Sequence, residues 1–179
     1  SLSGSVYSFT QDASSLHRFI AMDGSQSSTP AFIAQVENQN LHNFSPKDYF
    51  IIAPSSLKTQ AERLATYHAG KRGLKTLVVT PQEIYNEFSS GSQDVSAIRD
   101  FLKMYYDRAA SDNPPRYVLL LGDASYDYKE RLKNNTNLVP TFETAESNDK
   151  IDGYCTDDFF GFLDDNENIN GNPSSQINT

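Results

Sequence analysis

The chain has 179 residues with a formal net charge of −8, and 37% of its residues are hydrophobic while 21% are charged. This composition suits one well-buried domain with a small appendage and excludes a disordered protein. No apolar run approaches the ~20 residues that a membrane-spanning helix needs. Residues 112–179 hold thirteen acids and five bases, so they carry the whole net charge. Nucleic acid is an unexpected partner, because phosphate binding needs clustered lysine and arginine.

The first 45 residues contain short apolar or alternating runs, at residues 5–10, 18–21 and 31–36. Polar turn material separates these runs, which predicts a few antiparallel strands. Three such strands have little to bury by themselves. We therefore interpret residues 1–47 as the tail of a preceding β domain followed by a linker.

From residue 48 the pattern becomes β-α-β-α-α-β. Apolar runs at 49–53, 74–79 and 117–121 predict buried strands, and a stripe of apolar residues predicts a helix from about 94 to 110. Gly73 predicts a left-handed helix stop, and Thr80 with Glu83 forms a capping-box pattern. Strands joined by helices are parallel, with right-handed connections. Residues 48–179 are therefore predicted to form an α/β domain with a parallel sheet flanked by helices.

The third predicted strand ends in an acid, since residues 117–123 read Y-V-L-L-L-G-D. Ligands of parallel sheets bind beyond the carboxyl ends of the strands, and Asp123 lies at that position. A carboxylate there could orient a base or bind a cation. It could equally cap the following loop, because aspartate favours turns for local reasons.

Other candidate sites are incomplete. The turn after the first predicted strand lacks the glycines of a dinucleotide site or a P-loop. Asp164, Asp165 and Asn166 offer closely spaced oxygen ligands for calcium, but the glycine and distal glutamate of an EF-hand loop are absent, and an acidic hairpin turn is the alternative. Cys155 lies among aromatic residues and is predicted to be a buried small hydrophobe rather than a nucleophile.

Several segments, taken in order, resemble the gingipain family of cysteine peptidases. The resemblance covers about residues 48–165. The matching segments are the strand at 49–53 with Pro54, A-G-K-R-G-L at 69–74, A-I-R-D-F-L at 97–102, P-P-R-Y-V-L-L-L-G-D at 114–123, V-P-T at 139–141, S-N-D at 147–149 and Y-C-T-D-D-F-F at 154–160.

The resemblance implies a caspase-like fold, thiol-dependent peptide cleavage and residues 48–179 as the first subdomain. In that family the catalytic histidine, within a Gly-His-Gly stretch, and the catalytic cysteine belong to the second subdomain. No such stretch occurs here, and Cys155 does not match the position of the nucleophile, so no catalytic residue carries over. We expect the chain to be inactive by itself and to need no cofactor, calcium at the acidic turn excepted. Its expected partners are the second peptidase subdomain, protein substrates and secretion-system components.

The β piece around residues 36–42 is more similar to the family's sortase-like members than to its secreted peptidases. This similarity implies a bacterial cell-surface peptidase that cleaves C-terminal sorting signals of type IX secreted proteins. The alternative is a complete, non-catalytic module that binds a partner through its acidic C-terminal third.

Overall fold

The computed structural model describes residues 2–3, 6–21, 27–32, 34–43, 45–109, 113–144 and 153–167. It divides into two compact units, residues 1–37 and residues 38–179. All helices of the described residues lie in the larger unit. None of these helices combines the length and apolar character that a bilayer crossing demands.

The smaller unit contains one short antiparallel ribbon, in which β1 (Leu2–Ser3) pairs with β2 (Val6–Tyr7). The strands predicted at residues 18–21 and 31–36 are absent from the described residues, so that prediction was wrong. The large apolar side chains described there, Phe19, Ile20, Phe32 and Val36, are exposed, because a single run without a neighbouring strand gains neither ladder hydrogen bonds nor a buried face. The assignment of residues 1–47 to a preceding β domain stays a prediction.

The larger unit is built on a three-stranded parallel sheet flanked by helices, and the predicted α/β fold class is confirmed. Its strands lie in the order β4-β3-β5, with Tyr49 of β3 opposite both Thr76 and Tyr117. In chain order the elements are β3 (Tyr49–Ile52), a 3₁₀ turn (Ser55–Leu57), α1 (Lys58–Arg72), β4 (Thr76–Val79), α2 (Pro81–Phe88), α3 (Val95–Arg108) and β5 (Tyr117–Leu120).

Local signals set the helix ends. Thr80 Oγ1 accepts from the Glu83 N–H at 3.2 Å, and the Glu83 carboxylate accepts from the Thr80 N–H at 2.7 Å, which completes the predicted capping box. Gly73 ends α1 at a φ of 68°, where a side chain would be strained. The carboxylate of Asp94 caps α3 by accepting from the Ser96 N–H.

Two apolar layers cover the sheet. On one face, Phe50 and Val118 pack beneath α2 and α3, in a core that includes the fully buried Phe101. On the other face, α1 packs mainly over β4 and β3. On that second face, Tyr117 and Leu119 of β5 and Leu121 just after it are only half-buried. Strand β5 is also an edge strand, as is β4 on the other side of β3.

After β5 the chain forms a long loop and a small antiparallel pair, β6 (Phe142–Glu143) with β7 (Cys155–Thr156). Beyond β7, the aromatic run at residues 153–163 forms a 3₁₀ turn (Asp158–Gly161). This turn inserts Phe160 into the core beneath α3. Arg99 of α3 fixes the segment by donating to the Phe162 carbonyl at 2.7 Å.

One carboxylate anchors the segment that leads into β3. Glu87 of α2 accepts from the side chain of Gln39 at 2.8 Å, from the Leu41 N–H at 2.7 Å and from His42 Nδ1 at 2.6 Å. The His42 ring stacks on Phe88 at 4.6 Å. Burial would raise the pKa of Glu87, but these hydrogen bonds outweigh it and lower the pKa. The segment around residues 39–42 is therefore part of the larger unit.

Replacing Glu87 by glutamine is expected to lower the free energy of unfolding of the larger unit by about 2 kcal/mol at pH 7, because an amide N–H₂ would face donors. The pKa of Glu87 is lowered by folding, so its contribution is present above the unfolded value and is lost as the pH falls through the folded value. Urea unfolding at pH 7 and at pH 3 measures the difference, which should shrink at pH 3. Glu62→Gln, at an exposed position on α1, is the control, and an equal effect of both substitutions contradicts the prediction.

Candidate functional site

The carboxyl ends of the three parallel strands define the edge where a site is expected. Strand β3 continues into Ala53 and Pro54, β4 into the cap Thr80, and β5 into Gly122 and Asp123. The loop that follows, residues 123–144, closes over this edge, as the contacts of Gly122 show. The edge therefore has the loop entrance at Asp123 beside two turns, of which the one after β4 holds the Glu83 carboxylate in its capping box.

Gly122 is required by a close approach of the loop and not by its backbone angle. A Cβ placed on it would lie 3.0 Å from Leu138 Cβ, 3.3 Å from Val139 Cγ1 and 3.6 Å from Pro54 Cδ. Atoms at 3.0 Å overlap, so a side chain here would force the loop away from the end of β5. The absence of a side chain at Gly122 thus lets Leu138, sixteen residues later in the chain, pack against the end of β5.

Asp123 organises the base of this loop. Its carbonyl accepts from the Leu138 N–H at 2.8 Å and from the Val139 N–H at 3.2 Å, and its carboxylate accepts from the Thr136 hydroxyl at 3.0 Å. The side chain is exposed at the edge of the sheet. These contacts agree with the alternative in which Asp123 caps the loop that follows it. A role of Asp123 at the rim of an active site stays a prediction.

A second acid in the loop, Asp127, had no recognisable signal in the sequence. It is buried, and its carboxylate accepts from the Leu132 N–H at 2.6 Å. Its carbonyl accepts from the Asn135 side chain at 2.7 Å. The Leu132 N–H is the main cause that lowers the pKa of Asp127. Asp127 therefore stabilises the middle of the loop, whereas Asp123 stabilises the place where the two ends of the loop meet.

Two cavities lie beside this edge. One, of about 590 Å³, is lined by Tyr85 and by the loop residues Leu138 and Val139. The other, of about 240 Å³, is lined by Asp94 and Glu143, and Gln93, Tyr128 and Pro140 border both cavities. Burial, together with the charge of Asp94, raises the pKa of Tyr85 to about 12. Tyr85 is therefore a neutral phenol that can donate a hydrogen bond but cannot act as a base near neutral pH.

The acidic turn is tied to α3 and to itself. Asp164 Oδ1 accepts from the Tyr106 hydroxyl at 3.0 Å, and Asp165 pairs with Lys103 Nζ at 3.0 Å. The Glu167 carboxylate accepts from the Asp164 N–H. Within the described ranges, no group of three or more His, Cys, Asp or Glu side chains is arranged to hold a metal ion. These contacts form a turn tied to α3, with no strand among the described residues beside it, and calcium at Asp164, Asp165 and Asn166 stays a prediction.

Cys155 is exposed on β7, so its predicted burial was wrong. Partial desolvation and the nearby carboxylates of Glu143 and Asp157 raise the pKa of its thiol. A raised pKa is the opposite of what activates a nucleophilic cysteine. Two histidines have other partners: His42 bonds to Glu87, and His68 packs edge-on against Tyr49 at 5.1 Å.

Alkylation of Cys155 by iodoacetamide is expected to show a midpoint at higher pH in the folded chain than in the urea-unfolded chain. The thiolate reacts, and the partial burial of Cys155 and the charge of Glu143 disfavour it only in the folded chain. The rate of alkylation between pH 7 and pH 11 measures both midpoints on the same cysteine. A lower midpoint in the folded chain would contradict the assignment of Cys155 as a non-catalytic residue.

Comparison with known proteins adds the identity of the family. The family model "Peptidase family C25" matches residues 42–177. Among solved structures, the crystal structure of dimeric latent PorU from Porphyromonas gingivalis aligns with a TM-score of 0.68 and 38% sequence identity, covering 82% of this chain and 14% of that chain. A search of curated protein sequences finds no match. Since the family model spans most of the chain, this chain belongs to peptidase family C25, the gingipain family of cysteine peptidases.

Proposed function

We propose that the chain is the N-terminal subdomain of a PorU-like peptidase at the cell surface, which cleaves C-terminal sorting signals from type IX secreted proteins. The observation that carries the proposal is the 38% identity to PorU over 82% of the chain. The chain spans only 14% of the PorU chain. The catalytic cysteine and histidine are therefore expected in a second subdomain of the same protein.

The open side of the sheet supports a partner subdomain. The N–H groups of Tyr117 and Leu121 donate to carbonyls of residues 48 and 52, at 3.0 Å and 2.8 Å. Backbone groups alternate along a parallel strand, so those of Val118 and Leu120 point away from β3. In the described part of the chain, β5 has β3 as its single neighbouring strand. We expect the second subdomain to cover this edge and the half-buried side chains beside it.

In the whole enzyme, we expect the thiolate of the second subdomain to attack the carbonyl of the scissile peptide bond. A histidine protonates the leaving amine, and backbone N–H groups stabilise the oxyanion. The C–N bond breaks and a thioester forms, which an acceptor nucleophile then cleaves to release the thiolate. In this scheme the present chain is the scaffold, and Asp123 lies at the rim of the site.

The test uses the whole protein in its native host. A Gly-His-Gly stretch and a cysteine after a later strand are expected within the few hundred residues that follow Thr179 in the gene. Replacing that cysteine by alanine should leave the sorting signal attached to secreted proteins, which mass spectrometry of their C-termini measures. Cys155→Ser is the matched control and should leave cleavage intact. Absence of both residues from the gene, or normal cleavage in the alanine variant, contradicts the proposal.

The 179-residue chain by itself should show no thiol-dependent hydrolysis of fluorogenic peptides. The reason is that Cys155 has a raised thiol pKa and that the family's catalytic pair is expected elsewhere. Hydrolysis that iodoacetamide abolishes, and that Cys155→Ser removes, would overturn this assignment of the chain as a non-catalytic subdomain.

A further inference from the structure

Residues 123–138 form a closed surface loop. Its two ends meet where the Asp123 carbonyl accepts from the Leu138 N–H at 2.8 Å. The Asn137 side chain accepts from the Ser125 N–H at 3.2 Å, which adds a second connection just inside the first. Loops of about 6–16 residues with joined ends are compact Ω-loops, which frequently carry function. We call residues 123–138 the Ω-loop.

The interior of the Ω-loop is polar. Asp127 is only 8% exposed, and it accepts from the Leu132 N–H at 2.6 Å and from the Asn135 side chain at 2.7 Å. Its own N–H donates to the Ser125 hydroxyl at 3.1 Å, and its carbonyl accepts from the Glu130 N–H at 3.0 Å. Bonds to the backbone of Asp127 together with one to its carboxylate thus hold the loop in one conformation without an apolar centre.

The large apolar side chains of the Ω-loop point outward instead. Tyr126 is 68% exposed, Leu132 is 53% exposed and Tyr128 is 51% exposed. The Ω-loop therefore buries Asp127 and exposes its two tyrosines and Leu132. The inverted arrangement places rigid tyrosines on a fixed backbone, which is the composition and the preorganisation found at binding hot spots.

The same surface is basic within an acidic part of the chain. Lys129, Arg131 and Lys133 are exposed beside the exposed Glu130, while the other exposed acid of the Ω-loop, Asp123, lies at its base. They are three of the five bases in residues 112–179, a region that has a net charge of −8. Lys129 Nζ lies 5.3 Å from the centre of the Tyr128 ring, so a base and a tyrosine form one continuous patch.

We propose that the outer face of the Ω-loop is a docking site for an acidic protein segment, with Tyr126 and Tyr128 as apolar anchors and Lys129, Arg131 and Lys133 as its charge partners. The positive patch attracts and orients an acidic partner, which the strongly negative surroundings would otherwise repel. The tyrosines favour a protein segment over a simple polyanion, because their rings are stabilised by contact with apolar side chains of the partner. The proposal does not depend on peptidase activity, since no part of the Ω-loop reacts.

The test measures binding of a fluorescein-labelled peptide, Glu-Glu-Phe-Glu-Glu-Leu written twice, to the 179-residue chain by fluorescence anisotropy in 150 mM salt. The same peptide with lysine in place of glutamate, an all-glutamate dodecapeptide and heparin are the comparison ligands. The mixed acidic peptide should bind most tightly. Reversal of charge in K129E/R131E/K133E, and removal of the anchors in Y126S/Y128S, should each weaken it by about tenfold or more, which is the effect of losing hot-spot contacts.

The matched control is R63E/K71E/K75E, which reverses one arginine and two lysines at exposed positions on and after α1. It changes the net charge by the same amount and should leave the affinity within about twofold, because charges beyond ~8 Å are screened at this salt concentration. Asp127→Ala supplies an independent measurement: it keeps the outer side chains but removes the internal carboxylate, and it should also weaken binding.

Three outcomes would overturn the proposal. Equal losses in the two triple variants would mean that only the net charge matters. Equal binding of heparin, the all-glutamate peptide and the mixed peptide would mean attraction of any polyanion, without recognition by the tyrosines. Absence of binding by the mixed acidic peptide would mean that the Ω-loop is no docking site for acidic segments. Circular dichroism of each variant confirms that its fold is intact, and none of these outcomes bears on membership of the peptidase family.

Discussion

Replacing Phe101 by alanine is expected to lower the free energy of unfolding of the larger unit by about 3–5 kcal/mol, the usual effect of removing a fully buried aromatic ring. Phe101 has no exposed surface. Its ring centre lies 5.7 Å from that of Phe50, 5.6 Å from that of Phe88 and 5.3 Å from that of Tyr105. It therefore contacts the sheet, α2 and its own helix at once, and no single neighbour can fill the space that it leaves.

Urea unfolding followed by circular dichroism measures this effect. Phe101→Leu keeps most of the volume and should cost roughly 1 kcal/mol. Tyr67→Ala, which removes an aromatic ring that is 58% exposed on α1, is the control and should change stability by no more than about 0.5 kcal/mol. Similar losses for Phe101→Ala and Tyr67→Ala would refute the assignment of Phe101 to the centre of the core.

Replacing Gly122 by alanine should destabilise the larger unit by about 1–3 kcal/mol, because the added Cβ would meet Leu138 Cβ at 3.0 Å and Val139 Cγ1 at 3.3 Å. The strain should be relieved by displacement of the loop, which breaks the 2.8 Å hydrogen bond from the Leu138 N–H to the Asp123 carbonyl. Faster hydrogen exchange of the Leu138 amide is therefore expected together with a lower melting temperature.

Gly70→Ala is the matched control for this substitution. Gly70 lies in α1, and a Cβ there would meet nothing within 4 Å. Alanine is the better helix former, so this variant should be more stable than the natural chain by up to about 1 kcal/mol. The two glycine-to-alanine changes thus have opposite predicted signs, and the same sign for both would contradict the close approach described at Gly122.

The parallel sheet and the ends of its helices could be predicted because their causes are local in sequence. The Thr80–Glu83 box, the stop at Gly73 and the buried strand runs each depend on residues a few positions apart. The resemblance to the gingipain family was confirmed for the same reason, since its matching segments are these elements in order.

The surroundings of the sheet edge could not be predicted in the same way. Gly122 was recognised as the end of a strand, yet its need for glycine comes from Leu138, which is sixteen residues further along the chain. Asp127 is buried by backbone groups of its own loop, and no periodic pattern marks such contacts. Cys155 has aromatic neighbours in sequence, but it lies on the exposed side of a two-stranded pair.

The order of the strands has a consequence for how the chain folds during synthesis. The middle strand β3 leaves the ribosome first, while its second neighbour β5 follows about 65 residues later, which takes roughly 3–13 s at 5–20 residues per second. Until then, one side of the most apolar strand has no neighbour to pair with. One side of Tyr49–Ile52 therefore stays unpaired throughout the synthesis of both helices after β4, and among the described strands of this sheet the last pairing forms only when Leu120 has emerged.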